Sequence, residues 1–238
     1  MREYYEKIYT EGYESFVNVI SETINQDKKM FIITANPETL MIGKKHATFD
    51  TILKRKDVCI VPDGIGVVKA GNFLGYPIKE RVTGVEISKS LLEILDREKK
   101  SIYLFGAKAE VLNKLVDKLG KEYPGIKIAG YHDGYAQDKD KIFEEIVEKK
   151  PDVVLVALGI PQQEMLIGKF YDRFEKGIFV GVGGSFDVLS GTKKRAPQIF
   201  IKLNIEWLYR ILKEPKRIGR FCKSNIRFIF QIIKMKFK

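Results

Sequence analysis

Between residues 101 and 182, short apolar runs alternate with helical patterns so closely that few chain paths are open. The runs at 101–105, 126–131, 153–158 and 178–182 are rich in β-branched and aromatic residues, as suits strands buried on both faces. Between them, 110–123 places Leu112, Leu115, Val116 and Leu119 at helical spacing, 139–149 does the same with Ile142, Phe143, Ile146 and Val147, and 162–174 forms a further helix. Strands joined through helices by short connections run parallel, and a parallel sheet needs cover on both faces. The expected fold class is therefore α/β, a Rossmann-like parallel sheet covered by helices on both faces.

The first hundred residues extend this pattern and carry polar groups at strand ends. Phe16, Val19, Ile20, Thr23 and Ile24 mark an opening amphipathic helix, and 30–34 a short strand. Asn36 precedes Pro37 and is pushed towards an extended conformation; Pro37 suits the first turn of a helix through Thr39, Leu40 and Ile42, and His46 is also read as helical. A second strand, 58–61, ends at Pro62-Asp63-Gly64, ahead of a helix near Gly66. Ligands of open α/β sheets bind at the carboxyl ends of strands, so Asp63 is the candidate catalytic base, and Thr34 and Asn36 are candidate pocket residues. The alternative for Asp63 is a helix cap. Thr83, with Glu86 at the capping-box position, starts a helix over 85–97. Arg81 stands just before it, placed either to hold a phosphate at the helix N-terminus or to face water.

Glycine closes each strand of the second half, at Gly106, Gly134, Gly159 and Gly183-Gly184. Such turns let a ligand's phosphates approach the backbone, and they also simply reverse the chain; Gly106 and Gly183 are taken as candidate binding positions. None belongs to a G-x-G-x-x-G or Walker loop, which argues against dinucleotide and ATP chemistry. Gln162 and Gln163 open a helix at a strand end, where amides either bond sugar hydroxyls or face solvent. Asp187 is a candidate for ribose binding or for a cap, and Lys194 and Arg195 for diphosphate binding or for solvated charge. Asp138-Lys139-Asp140 has the form of a metal-binding pair but the setting of a solvated helix cap. With only His46 and His132 in the chain, a histidine metal site is not expected. No metal and no cofactor are expected.

Charge divides the chain. Of the net +11, residues 193–238 hold 14 Lys/Arg against two Asp/Glu, leaving 28 against 29 in 1–192. We therefore read 1–192 as the α/β core and 193–238 as a basic helical C-terminal appendage. Pro215 breaks its first helix, and beyond it Ile218, Phe221, Ile226, Ile229, Ile232 and Ile233 alternate with Arg217, Arg220, Lys223, Arg227 and Lys234. That pattern suits an anionic membrane surface, or docking on the chain's own core. Nucleic acid is not expected, because the aromatics are interleaved with aliphatics. Two cysteines make no disulfide framework, the N-terminal residues carry no signal-like apolar run, and no stretch reaches the length of a bilayer span. The expected location is cytoplasmic and peripheral on the inner face of the cell membrane.

Six motifs in fixed order, T-A-N-P-E at 34–38, V-P-D-G-I-G-V at 61–67, E-R-V-T-G at 80–84, L-G-I-P-Q-Q-E at 158–164, G-V-G-G-S-F-D at 181–187 and K-R-A-P at 194–197, resemble the WecG/TagA/CpsF family of bacterial glycosyltransferases over roughly residues 10–225. W-L-Y-R at 207–210 and E-P-K-R at 214–217 resemble that family's C-terminal appendage. The resemblance implies transfer of N-acetylmannosamine from a UDP donor to N-acetylglucosamine on undecaprenyl diphosphate, with inversion and without a metal, in wall teichoic acid linkage-unit synthesis. A related donor, such as another UDP-hexose or a uronic acid, or a non-catalytic nucleotide-binding role, stays open. The family pattern puts its general base on Asp63, pocket-lining polar groups on Thr34 and Asn36, substrate contacts on Arg81, Gln162 and Gln163, and appendage arginines on Arg210, Arg217 and Arg220. Oligomeric state is open, a homo-oligomer included.

Overall fold

A computed structural model describes residues 1–237, without the side chains of Arg217 and Arg220, so the expectations for those two arginines lie outside the described residues. The strands are β1 (Lys29–Ala35), β2 (Val58–Pro62), β3 (Ser101–Gly106), β4 (Lys127–His132), β5 (Val153–Ala157) and β6 (Gly177–Gly181). They form one sheet in the order β2-β1-β6-β5-β3-β4 with every neighbouring pair parallel, as the alternating pattern required. The helices, in chain order, are α1 (Arg2–Tyr5), α2 (Tyr13–Asn25), α3 (Pro37–Gly43), α4 (Ala47–Lys54), α5 (Ile65–Leu74), α6 (Gly84–Glu98), α7 (Ala109–Glu122), α8 (Lys139–Lys149), α9 (Gln162–Phe170), α10 (Ser185–Leu189), α11 (Gln198–Lys202), α12 (Glu206–Lys213) and α13 (Ile218–Lys236).

Two apolar layers hold the sheet. On one face Phe31, Ile33, Phe105, Val154, Val156 and Phe179 pack with Leu40 of α3, Phe49 of α4, Val67 of α5, Phe143 of α8 and Ile167 of α9. On the other, Ile32, Val61, Leu104, Leu155 and Val180 meet Phe16 of α2, Leu91 of α6, Leu115 of α7 and Phe186 of α10. Successive residues of one strand thus serve opposite layers, as the two-residue strand period demands. The helix after β1 covers the first face and the helix after β6 covers the second, although β1 and β6 are neighbours. Their carboxyl ends consequently flank a crevice where the connection reverses, the place where open α/β sheets bind ligands.

Local sequence accounts for most boundaries. Asn36 caps α3 through a hydrogen bond from the Thr39 amide at 3.0 Å, with Pro37 at the first helical position. Gly75 ends α5 at φ +94°, a left-handed conformation that glycine adopts without steric cost. Two expectations differ. His46 is not within a helix but is the N-cap residue of α4, because the chain breaks after Gly43 and restarts. The 162–174 helix is α9 followed by a 3-10 turn at Tyr171–Arg173. Asp138 accepts the Lys141 amide at 3.1 Å at the start of α8, the capping role its setting suggested.

Beyond Ala196, α11 and α12 lead to the 19-residue α13, which returns to lie against α3 and α5. Phe228 and Ile232, one helical turn apart, join the first apolar layer at 3% and 5% exposure. No helix among the described residues is long and apolar enough to cross a membrane.

Candidate active site

Asp63 follows β2 directly, and its amide donates to the Ala35 carbonyl of β1 at 2.9 Å, which fixes the turn beside Thr34. Its carboxylate opens on a small cavity of about 60 Å³ lined by Thr34, Thr83, Gly84, Val182, Ser185, Arg195, Glu206 and Arg210. The N-terminal turns of α6 and α10 meet there with the end of β1, so the cavity occupies the crevice at the reversal of the sheet. Among the described residues no side chain donates a hydrogen bond to the Asp63 carboxyl. Burial pushes that carboxyl above the ordinary carboxylate range, Arg210 and Arg81 pull it back, and Glu206 and Glu86 add to the rise. A carboxylate so placed is free to take a proton, the property a general base needs.

Around Asp63 the guanidinium groups form a connected cluster. Glu206, the first residue of α12 and 4% exposed, accepts from Arg210 at 2.7 Å and from Arg81 at 3.3 Å, and lies 3.9 Å from Arg195. Arg195 donates to Glu86 at 2.8 Å, while its buried Nε has no partner among the described residues. Burial alone would raise the Glu206 carboxyl, yet Arg210, Arg195 and Arg81 together hold it below its usual value. Glu86 also closes the expected capping box, accepting from the Thr83 hydroxyl at 2.7 Å.

A second, larger cavity of about 380 Å³ adjoins the first and shares Gly184, Arg195, Glu206 and Arg210 with it. Asp187, Val188, Lys193, Lys194, Ala196, Tyr209, Lys213 and Glu214 complete its wall. Lys193 bridges Asp187 and Glu214 at 3.7 and 3.3 Å, and Lys194 is exposed. Cations therefore dominate the outer chamber, and the inner one holds the candidate base.

Several sequence-predicted residues converge here and others do not. Thr34, Asp63, Arg81, Asp187, Lys194, Arg195 and Arg210 surround the two chambers or pair with their walls. Asn36 turns its side chain to its own helix, where it serves Thr39. Gly106 ends β3, two strands away from β6, and a Cβ there would run into the Ala157 backbone of β5. Of the two glutamines, Gln162 is exposed and Gln163 is 1% exposed. Gln163 Oε1 accepts from the amides of Gly159 at 3.0 Å and Gly183 at 3.1 Å, tying the loops after β5 and β6 together, and its Nε2 donates to Glu164 at 2.7 Å. Gly183, at φ +47°, thus meets protein at its amide.

Sequence reasoning missed Glu206, Ser185 and Glu164. Glu206 stands four residues before Arg210, a spacing that reads as an ordinary exposed helical ion pair. Only the fold brings Arg81 and Arg195 to the same carboxylate.

The family model for the glycosyl transferase WecG/TagA/CpsF family matches residues 7–238. A protein of Bacillus spizizenii is 41% identical over 221 residues, covering 92% of this chain and 85% of the relative, and is named N-acetylglucosaminyldiphosphoundecaprenol N-acetyl-beta-D-mannosaminyltransferase. Proteins of the same name from Bacillus subtilis (41% identical, 87% of this chain and 80% of theirs) and Staphylococcus aureus (40% identical, 88% and 82%) are similar over nearly the same extent.

Proposed function

Since this chain belongs to the WecG/TagA/CpsF family of glycosyl transferases, we propose that it transfers N-acetylmannosamine from a UDP donor to N-acetylglucosamine carried on undecaprenyl diphosphate, forming a β-linkage in teichoic acid linkage-unit synthesis. The observation that carries this reading is a half-buried carboxylate, Asp63, which accepts no side-chain hydrogen bond among the described residues and stands beside three convergent arginines at the reversal point of a parallel sheet.

In this mechanism the acceptor's 4-hydroxyl oxygen attacks the anomeric carbon of the donor in line with the departing diphosphate. Asp63 takes the hydroxyl proton as the new bond forms, and the bonding pair of the old bond leaves with UDP. Arg81, Arg195 and Arg210 are assigned to the negative charge that grows on the leaving group, since guanidinium forks match phosphate oxygens with paired hydrogen bonds. The Ser185 turn at the start of α10 and the Thr83 cap of α6 shape the wall beside the base. Gln163 serves as a positioning residue, holding the Gly159 and Gly183 loops. The appendage supplies Arg210 from α12, so its docked state completes the cationic side of the site. Its outer surface of exposed Ile226, Ile229, Phe230 and Ile233 among Lys223, Arg227 and Lys234 faces away from the core, and we assign it to contact with an anionic membrane surface that carries the lipid-linked acceptor.

Purified protein incubated in EDTA with UDP-N-acetylmannosamine and a short-chain lipid diphospho-N-acetylglucosamine should release UDP, and Asp63→Asn should slow release by ~10²–10⁴-fold, the range of general-base contributions. The wild-type rate should rise with pH through a limb lying above the ordinary carboxylate range, because burial raises the Asp63 carboxyl and only its ionised form accepts a proton. Full activity in Asp63→Asn would exclude this carboxylate as the base. Absence of release by the wild type across a panel of UDP-sugars would exclude the transfer itself.

A further inference from the structure

Each of the three arginines beside Asp63 already donates to a carboxylate. Glu206 takes hydrogen bonds from Arg210 at 2.7 Å and Arg81 at 3.3 Å, and Glu86 takes one from Arg195 at 2.8 Å. With Asp63 ionised, three guanidinium groups face three carboxylates and the cluster is neutral. A nucleoside diphosphate ester brings about two further negative charges, and placing them in this partly buried cluster without compensation would be strongly unfavourable. Space sets a second constraint. The chamber in front of Asp63 measures about 60 Å³, far below the ~300–1,000 Å³ of pockets that hold small-molecule ligands. The neighbouring chamber measures about 380 Å³, and Arg195, Glu206 and Arg210 form the partition between the two.

Glu206 is the anionic member of this partition, the one whose charge a phosphate reproduces. It belongs to α12, whose remaining apolar side chains are partly or well exposed, Leu212 at 65% and Trp207 at 39%. We propose that Glu206 holds the place of a phosphate on Arg81, Arg195 and Arg210, and that a substrate diphosphate entering the outer chamber displaces it, merging the two chambers and admitting the sugar to Asp63. This rests on the transferase reading above and adds the step by which the site opens. The exchange is one of charge for like charge: a carboxylate leaves the guanidinium groups for solvent as phosphate oxygens take its hydrogen bonds. It selects ligands that carry a diphosphate over free sugars, since a neutral sugar cannot release the carboxylate. Glu206 acts here as a positioning residue and touches no reacting atom.

The full-length wild type, Glu206→Gln and Glu206→Asp should be compared by calorimetric titration with UDP and with inorganic diphosphate, alongside melting temperatures and transfer kinetics. Removing the resident charge should tighten both ligands by about tenfold or more in Glu206→Gln, the scale of a charge-assisted hydrogen bond. Glu206→Asp, whose shorter side chain holds the arginines less well, should fall between it and wild type. Binding to Glu206→Gln should also weaken more steeply with added salt, because its site carries one more net positive charge. The donor KM should drop more than kcat changes. Equal or weaker diphosphate binding in Glu206→Asp, or in a folded Glu206→Gln, would overturn the exchange and leave Glu206 as a structural tie. Should wild type transfer sugar while neither variant gains affinity, the exchange fails and the transferase reading stands. Tighter diphosphate binding by the variants with no transfer by any form would be the converse.

Discussion

Glu164 shows how much one side chain beneath the site can contribute at the residue scale. It is fully buried under β6, its Oε1 accepts from Gln163 at 2.7 Å, and its Oε2 has no partner among the described residues. Burial pushes its carboxyl up to about 7, against the opposing hydrogen bond from Gln163. The folded protein therefore binds this proton more tightly than the unfolded chain does. The resulting stability is full below pH ~4.5, declines as pH rises through about 7, and amounts to about 3 kcal/mol across that window. Glu164→Gln, neutral at every pH, should remove this slope: urea melts at pH 5 and pH 8 should differ by about 3 kcal/mol less in favour of acid than those of wild type. An unchanged pH dependence would place the titration elsewhere. Neither Glu164 nor the distinction between Gln162 and Gln163 was legible in sequence, since which residue of Gln162-Gln163-Glu164 points inward depends on the rotation of α9 against the sheet. Asp63 and Thr34 were legible because a polar residue that ends an apolar strand has only the mouth of the sheet to occupy.

Elements carry the site by where they begin. Thr83 caps α6 by accepting the Glu86 amide at 3.3 Å and donating to the Glu86 carboxylate at 2.7 Å, and the same carboxylate holds Arg195. Thr83→Ala should thus lower stability by ~1 kcal/mol, the usual cost of a lost N-cap, and weaken UDP binding through the loosened Glu86–Arg195 pair; Thr83→Ser should restore both. Chemical denaturation and calorimetry read the two effects separately, and a stability loss with intact UDP affinity would sever the cap from the site. Boundaries of this kind were readable in advance, because caps, prolines and glycines act within a few residues. The strand order β2-β1-β6-β5-β3-β4 was not. Alternation of strands and helices requires parallel pairing but leaves each crossover free to step over either neighbour, and the reversal between β1 and β6 that makes the crevice follows from that unreadable choice.

For the whole molecule the decisive question is whether the proposed membrane contact of α13 is compatible with its docking on the core. Phe228 and Ile232 of α13 are buried against α3 and α5, while Ile226, Ile229, Phe230 and Ile233 are 46–70% exposed on the other side. Sequence periodicity placed apolar residues all along this segment and left docking and membrane contact as alternatives; in the structure Phe228 and Ile232 dock on the core, and the exposed row is the one left for the membrane contact proposed above. A surface helix stabilised by its inner row and bound to lipid by its outer row should respond oppositely to substitution on each. Phe230→Ser with Ile233→Ser should weaken co-sedimentation with anionic vesicles by about tenfold, from the loss of apolar contact at the interface, and leave the melting temperature close to wild type. Phe228→Ser should lower stability by ~2–4 kcal/mol, bounded by what α13 docking contributes, and leave vesicle binding intact, because the outer row of Ile226, Ile229, Phe230 and Ile233 is unchanged. Equal losses of vesicle binding from both rows would mean that α13 leaves the core to bind membrane, and the arginine cluster would then have to be completed at the bilayer instead of in solution.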